Sequence, residues 1–133
     1  MTFQGLENRA AARAALFAEL QTGVTSAQAF FDHLPPDPAG VSPFVTVESD
    51  GVHYEAEPAI YNKFRFVIGA WVERSNAETA EGVSDTLALE IGAAVLGWHK
   101  AEFTQPSEMQ YFPADIWPGQ WRVEFFFIQI EWE

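Results

Sequence analysis

The twelve residues that precede the final Glu133 constrain the fold more than any other segment. Trp121 to Trp132 has the pattern of one strand, and Phe125, Phe126, Phe127 and Ile128 at its centre make both faces apolar. A strand of that kind left exposed pairs with other chains and aggregates. The sequence therefore predicts that this strand is covered by helices, by a second layer or by a neighbouring subunit.

A second long strand is predicted within Asn62 to Arg74. One face is apolar, and the other carries Val67 and Trp71, which is typical of a central strand covered on both sides. The apolar face is formed by Phe64, Phe66, Ile68, Ala70 and Val72. Shorter strands are predicted at Ala27 to Asp32 and at Phe44 to Glu48, with a turn at Asp50-Gly51.

Two helices are predicted from apolar residues that recur at helical spacing. The first runs from Leu6 to Val24, with its inner face formed by Leu6, Ala10, Ala14, Phe17, Leu20 and Val24. The second runs from Ser75, which has Glu78 three residues later as in a capping box, to about Gly97. Its inner face is formed by Ala80, Val83, Leu87, Ile91, Ala94, Val95 and Trp98.

Both helices carry a second distinctive face, and a helix on the outside of a monomer has no use for the apolar one on the second helix. The first has small residues at Ala11, Ala15 and Ala18, and the second has an apolar stripe at Leu89, Ala93 and Leu96. Small side chains allow a second backbone to approach closely, although alanines are also good helix formers that face solvent. We take both sets as candidate subunit interfaces. Arg13, on the inner face, either extends its head to water or pairs with a carboxylate.

These elements predict one α+β domain over residues 1–133: a mainly antiparallel sheet with two helices packed on one face. Residues 99 to 119 are expected to be less regular, because Pro106, Pro113, Pro118 and Gly119 interrupt them. The loop from Pro35 to Pro43 is rich in proline and cannot continue a helix or an inner strand.

The charge balance excludes several functions. The chain has 19 acidic and 7 basic residues, a net charge of −12, so it would repel nucleic acid phosphates and anionic membranes. It has no cysteine, and it shows neither a signal pattern nor an apolar run long enough to span a membrane. We therefore expect a protein that is soluble and cytoplasmic when made, with no membrane partner.

A search for catalytic and ligand-binding motifs gives no strong candidate. The histidines His33, His53 and His99 are far apart, and none has metal-ligand spacing to another ligand. Asp32-His33 is interpreted as a solvated turn, and Glu55 with Glu57 as a solvated acidic run. The aromatic residues Tyr111, Phe112, Trp117 and Trp121 are interpreted as core or interface in preference to a ligand pocket. We expect no enzyme activity, no metal and no cofactor.

Three segments in order resemble the tail terminator family of long-tailed bacteriophages. The first is an amphipathic helix followed by Phe30 to Pro35, the proline-rich loop and Ser42 to Val47. The second is Phe64 to Val72 leading into an acidic helix with Ser84-Asp85 and Glu90-Ile91. The third is the ending Trp121 to Trp132.

The resemblance implies a structural role in a virion, with no catalytic site. Terminators form a six-membered ring that caps the tail tube and joins it to the head. It implies a homo-oligomer, with the tail tube protein and a head–tail connector or neck protein as partners, at the head-proximal end of the virion tail after assembly in the host cytoplasm. An acidic bore of six copies at −12 each, about −72 in all, would let DNA pass without binding it.

Partner contacts are expected in two loops, since loops on a rigid scaffold often carry function. The candidate residues are Pro35, Pro36, Asp37, Asp50, His53, Tyr54, Glu55, Glu57 and Tyr61. Three alternative functions stay open at this point. They are another neck or tail-completion subunit, a small-molecule binding module that uses Tyr111 to Trp121, and a hydrolase that uses His33 or His53.

Overall fold

The computed structural model describes residues 4–36, 40–49, 63–74, 77–112 and 121–132, and it contains two helices and five strands there. The elements are α1 (Gln4–Gly23), β1 (Ala29–Phe31), β2 (Phe44–Ser49), β3 (Lys63–Glu73), α2 (Ala77–Leu96), β4 (Ala101–Phe112) and β5 (Trp121–Glu131). The strands form one sheet in the order β1-β2-β3-β5-β4.

The two long apolar strands are central neighbours in this sheet. β3 and β5 pair antiparallel along their full length, from Lys63 opposite Glu131 to Glu73 opposite Trp121. β2–β3 and β5–β4 are also antiparallel, whereas β1 pairs with β2 in parallel. The central position explains why both strands are apolar on both faces, and the prediction that β5 is covered is confirmed for the face that contacts the helices.

Both helices pack on the same face of the sheet. Leu16 and Leu20 of α1 and Leu87 and Ile91 of α2 share one buried cluster with alternate residues of the strands. The strand residues of this cluster include all five predicted for the inner face of β3, together with Val45, Val47, Phe126, Ile128 and Ile130. The predicted α+β class, a mainly antiparallel sheet with two helices on one face, is confirmed.

The buried face of α1 differs from the predicted one. Ala12 and Leu16 are buried together with Leu20 and Val24, whereas Ala10 and Ala14 are exposed. A helix so rich in alanine gives no clear hydrophobic periodicity, so the two leucines decide which side faces the core. Arg13 is half-buried on this inner side, and its positive charge is among the influences that lower the pKa of the Asp32 carboxyl.

The prediction that residues 99 to 119 are irregular is wrong for the first part of that segment. β4 occupies Ala101–Phe112 as a strand at one end of the sheet. Its pairing with β5 shifts register between Phe103 and Gln105 and between Gln105 and Glu108. Pro106 lies in the second irregularity, and proline is tolerated in strands at edges and bulges. Proline therefore marked a bulged edge strand and not a loop.

The second face of the sheet carries an aromatic cluster. The Phe44 ring stacks on the Trp71 ring with centroids 5.6 Å apart and planes 2° apart. Trp121 lies edge-on to Phe44 at 5.5 Å and to Trp71 at 6.5 Å. Phe31 and Phe125 extend this cluster, which forms a second buried group with Val123. Trp121, one of the four aromatic residues that the sequence analysis interpreted as core or interface, is therefore a core residue.

Candidate assembly surfaces

The outer face of α2 presents large apolar side chains to solvent. Leu89 is 75% exposed and Leu96 is 77% exposed, and Ala93 between them is exposed as well. The two leucines are seven residues apart, which is two helical turns, so they lie on one line along the helix. Exposed large apolar side chains that cluster in this way mark interaction surfaces more often than scattered ones do.

The outer face of α1 is formed by small residues. Ala11 and Ala18 are exposed and Ala15 is half-buried. The exposed Ala10 and Ala14 lie beside them, so the surface is smooth over two turns of the helix. Because both helices belong to the same layer, the alanine face and the leucine stripe both point away from the sheet.

Glu90 ties α2 to the chain that leaves α1. Its carboxylate accepts hydrogen bonds from the backbone N–H groups of Thr25 and Ser26, at 3.0 and 2.9 Å. It also accepts bonds from their hydroxyls, at 3.3 and 2.9 Å. Burial raises the pKa of Glu90, but the hydrogen bonds from Ser26 and Thr25 together lower that pKa below its ordinary value of 4.5. Close contact between Gly23 and Ala94 adds to this junction, since a Cβ at Gly23 would lie 2.8 Å from the Ala94 Cβ.

The predicted loop residues divide between described and undescribed segments. Pro35 is buried and Pro36 is exposed. Asp37, Asp50, His53, Tyr54, Glu55, Glu57 and Tyr61 lie outside the described residues. Of the candidate partner-contact residues in these two loops, Pro36 is therefore one that the structure places at the surface.

The adjacent pair Asp32 and His33 lies on an exposed turn after β1. His33 Nδ1 is 2.8 Å from Asp32 Oδ1, and both side chains are more than half exposed. The hydrogen bond with His33 is the main influence that lowers the pKa of Asp32. The His33 ring also lies edge-on to Phe31 at 5.8 Å. The structure brings no third polar side chain of the described residues into hydrogen bonding with this pair.

An open groove lies between α2 and the starts of β1 and β2. It is lined by Ser26, Pro43, Gly82, Val83 and Thr86 and has a volume of 540 Å³. None of these residues is charged. The groove is also open, whereas small-molecule sites are usually deep clefts that bury most of the ligand. Within the described segments no group of three or more His, Asp or Glu side chains is placed to hold a metal ion. Neither described helix is long and apolar enough to cross a membrane.

Comparison with known proteins gives a likeness in fold to solved structures and none in sequence. No protein-family model matches the chain, and no curated protein matches it in sequence. The fold is similar to that of a chain in the virion of a native gene transfer agent particle. The two share 16% identity with a TM-score of 0.57, over 94% of this chain and 98% of the other. At that identity the likeness establishes the fold, and the near-complete coverage means that the whole two-layer architecture is shared.

Sequence reasoning missed two features of these surfaces. The Glu90 junction joins residues 64 and 65 positions apart, and no local pattern in either segment indicates it. Arg122 is the other: its guanidinium lies 3.7 Å from Glu81 of α2, and its side chain is 11% exposed. Its even-numbered position in β5 could have indicated that Arg122 faces the helices, because the apolar residues at even positions of that strand do so.

Proposed function

We propose that this chain is a structural subunit of a phage-like virion, and specifically a tail terminator that forms a ring, closes the tail tube and joins it to the head. The observation that supports the proposal most is the full-length fold likeness to a chain of a gene transfer agent virion. The ordered resemblance of three sequence segments to the terminator family supports the finer assignment. The proposal includes no catalytic step and no cofactor.

Two features of the surface fit assembly. A heterologous ring needs two different complementary faces on each subunit. The stripe Leu89, Ala93 and Leu96 exposes apolar area that a monomer gains nothing by exposing. The face Ala11, Ala15 and Ala18 is smooth enough for close approach of a second element. We assign the leucine stripe to the contact between subunits and keep the alanine face as a second candidate contact.

Contacts with the tail tube and neck proteins are proposed for the loops at 35–43 and 50–62. Alanine or charge-reversal substitutions there, such as Pro36→Ala and Glu55→Lys, are expected to keep the fold and to reduce capping of tubes. Variants that cap tubes as well as the parent chain would remove these loops from the proposal.

The test of the proposed function is the mass of the purified protein, alone and mixed with tail tubes. Native mass spectrometry and light scattering would measure the mass, and negative-stain images would show whether tube ends are capped. Rings near six times 14.9 kDa, or a monomer that becomes a ring on tube ends, are the expected result. A ring of another size that attaches to a portal would indicate a neck subunit, and a monomer that ignores tubes would contradict the proposal.

A further inference from the structure

We propose that the leucine stripe of α2 docks on the second face of the sheet in the next copy of this chain, so that the subunits stack helix layer against sheet layer. The inference rests on the proposed function, because it specifies how the subunits of the ring meet. It concerns the face of the sheet opposite the helices, near the start of β3 and the end of β5, beyond the aromatic cluster. That surface is called the sheet patch below, and it consists of Lys63, Arg65, Val67, Phe127 and Gln129.

The first step is the direction of the two surfaces. The even-numbered residues of β3 and β5 face the helices, since Phe66, Ile68, Phe126 and Ile128 lie in the helix-facing cluster. The odd-numbered residues of the sheet patch therefore point away from the helices. A head-to-tail contact joins two different faces of a subunit, and repeating it closes a ring when the rotation that relates successive copies closes. The leucine stripe and the sheet patch are different faces that lie on different layers of the subunit, whereas the leucine stripe and the alanine face lie side by side on the helix layer.

The second step is the apolar content of the sheet patch. Val67 and Phe127 are directly opposite each other in the β3–β5 pairing. Both side chains are half-buried, as is Phe125 next to Phe127 on the same face, whereas Trp71 and Val123 farther along the strands are buried. Among the described residues no helix covers this pair. The patch therefore offers apolar area for Leu89 and Leu96 next to the aromatic cluster.

The third step is charge. α2 carries four acidic residues, Glu78, Glu81, Asp85 and Glu90, and no basic one. Asp85 is exposed on the leucine side of the helix. Two copies that met through their α2 faces would bring acid against acid, which is repulsive. The complement of this face therefore needs basic groups beside apolar ones.

Basic groups are scarce in this chain, and the sheet patch holds two of the seven. Lys63 is exposed and Arg65 is half-buried, and side-chain alternation places both on the side of Val67. Elsewhere, Lys100 lies over the Trp132 ring at 4.7 Å and Arg122 is largely buried beside Glu81. The sheet face also carries Glu48, Glu102 and Glu131. Together with Lys63 and Arg65, these glutamates place both signs of charge around the sheet patch, whereas the α2 face carries only negative charge.

The absence of cysteine from the chain allows each contact to be tested by cross-linking. A variant with Leu89→Cys and Arg65→Cys, treated with a short bis-maleimide under conditions where the parent chain forms rings, is expected to give a covalent ladder up to the ring size. Leu89→Cys alone and Arg65→Cys alone are expected to stay at 14.9 kDa on a denaturing gel. Leu89→Cys with Val67→Cys is the second pair, and circular dichroism with a thermal melt confirms that each variant is folded.

The outcomes separate this inference from the proposed function. A parent chain that forms rings while the double variants give no ladder overturns the docking mode and leaves the proposed function standing. Dimers from Leu89→Cys alone, or a ladder from Leu89→Cys with Ala18→Cys in its place, overturn it as well. A parent chain that never assembles, alone or on tubes, removes the proposed function and this inference together.

A charge exchange tests the same contact without a cross-linker. Asp85→Arg places a positive charge opposite Arg65 of the next copy and is expected to weaken ring formation about tenfold or more. Arg65→Glu in the same chain restores the opposite signs and is expected to recover most of that loss. Two single variants whose effects simply add in the double variant would contradict a direct contact between these positions.

Discussion

Gly69 is the residue on which the aromatic packing of the second sheet face depends. A Cβ built there would lie 2.5 Å from Trp71 Nε1 and 2.7 Å from Thr46 Oγ1. Those two atoms form a buried hydrogen bond of 2.9 Å. The indole of Trp71 thus lies across the space that any other side chain at position 69 would fill. From there the Trp71 ring also stacks on Phe44.

Gly69→Ala is expected to destabilise the fold by about 2–4 kcal/mol, because it displaces the indole and leaves a buried donor without its partner. Urea unfolding followed by tryptophan fluorescence measures the change. Gly92→Ala is the control, since a Cβ there meets nothing within 4 Å in the interior of α2. That control is expected to stabilise the protein by roughly 0.5–1 kcal/mol through helix propensity. Equal effects of the two substitutions would show that Gly69 is not sterically required.

At the scale of elements, the connection between the two helices combines packing with one carboxylate. α1 and α2 share the core cluster, and Glu90 accepts four hydrogen bonds from Thr25 and Ser26 where the chain leaves α1. A charged acceptor strengthens such bonds relative to neutral ones. Partial exposure of Glu90 to solvent reduces the energy that they contribute.

Glu90→Gln is expected to lower stability at pH 7 by about 1 kcal/mol after allowance for solvent screening. Because the pKa of Glu90 is lower in the folded protein than its ordinary value of 4.5, its contribution is present above that value. It is lost as pH falls through the folded pKa. The stability difference between the parent and the variant should therefore shrink below about pH 4.5. Chemical unfolding between pH 3 and 7 tests this, with the exposed Glu131→Gln as a charge-matched control, and a difference independent of pH would contradict the assignment.

Substitutions on the outer face of α2 should impair ring formation, and substitutions on its inner face should lower the free energy of unfolding. Leu89→Gln with Leu96→Gln is expected to change the free energy of unfolding by less than about 0.5 kcal/mol, because both side chains are largely exposed. The same variant should lose ring formation. Leu87→Ala, at a fully buried position of the same helix, should cost about 2–5 kcal/mol. Thermal melts and native mass spectrometry make the comparison, and outer-face variants that assemble normally would remove the stripe from the interface.

At the scale of the whole molecule, net charge opposes association. Each copy carries −12, so bringing copies into a ring concentrates like charge, and salt screens that repulsion over about 10 Å at 0.1 M. The apolar contacts proposed above have to exceed this repulsion. The same charge gives the chain no means of gripping the DNA that the proposed ring would surround.

Ring formation is therefore expected to strengthen as salt rises from about 50 to 300 mM, in contrast with complexes held together by opposite charges. Light scattering across a salt series measures it. In the same buffers the protein should not retard double-stranded DNA in a gel shift at any salt concentration. Assembly that weakens with added salt would show that ion pairs, and not apolar contacts, dominate the interface.

The elements that were correct from the sequence are those with local signals. The inner face of β3 is identical to the prediction because side chains alternate strictly along a strand. The core stripe of α2 was recovered for the same kind of reason, since Ala80, Leu87, Ile91 and Val95 are buried. The alanine-rich α1 gave no such signal, and the prediction of its buried face was only partly correct, since Leu20 and Val24 are buried and Ala10 and Ala14 are exposed.

By itself, the sequence determined the α+β class, the two central strands and the apolar stripe left on the outside of α2. Each of these follows from a repeat of two or 3.6 residues that burial enforces locally. The tertiary structure decided which strand lies at the edge, that Trp121 and Trp71 belong to one aromatic cluster, and that Glu90 joins α1 to α2. These depend on contacts between residues far apart in the chain, such as Thr25 and Glu90 or Phe44 and Trp121, and no local pattern encodes which distant segments meet.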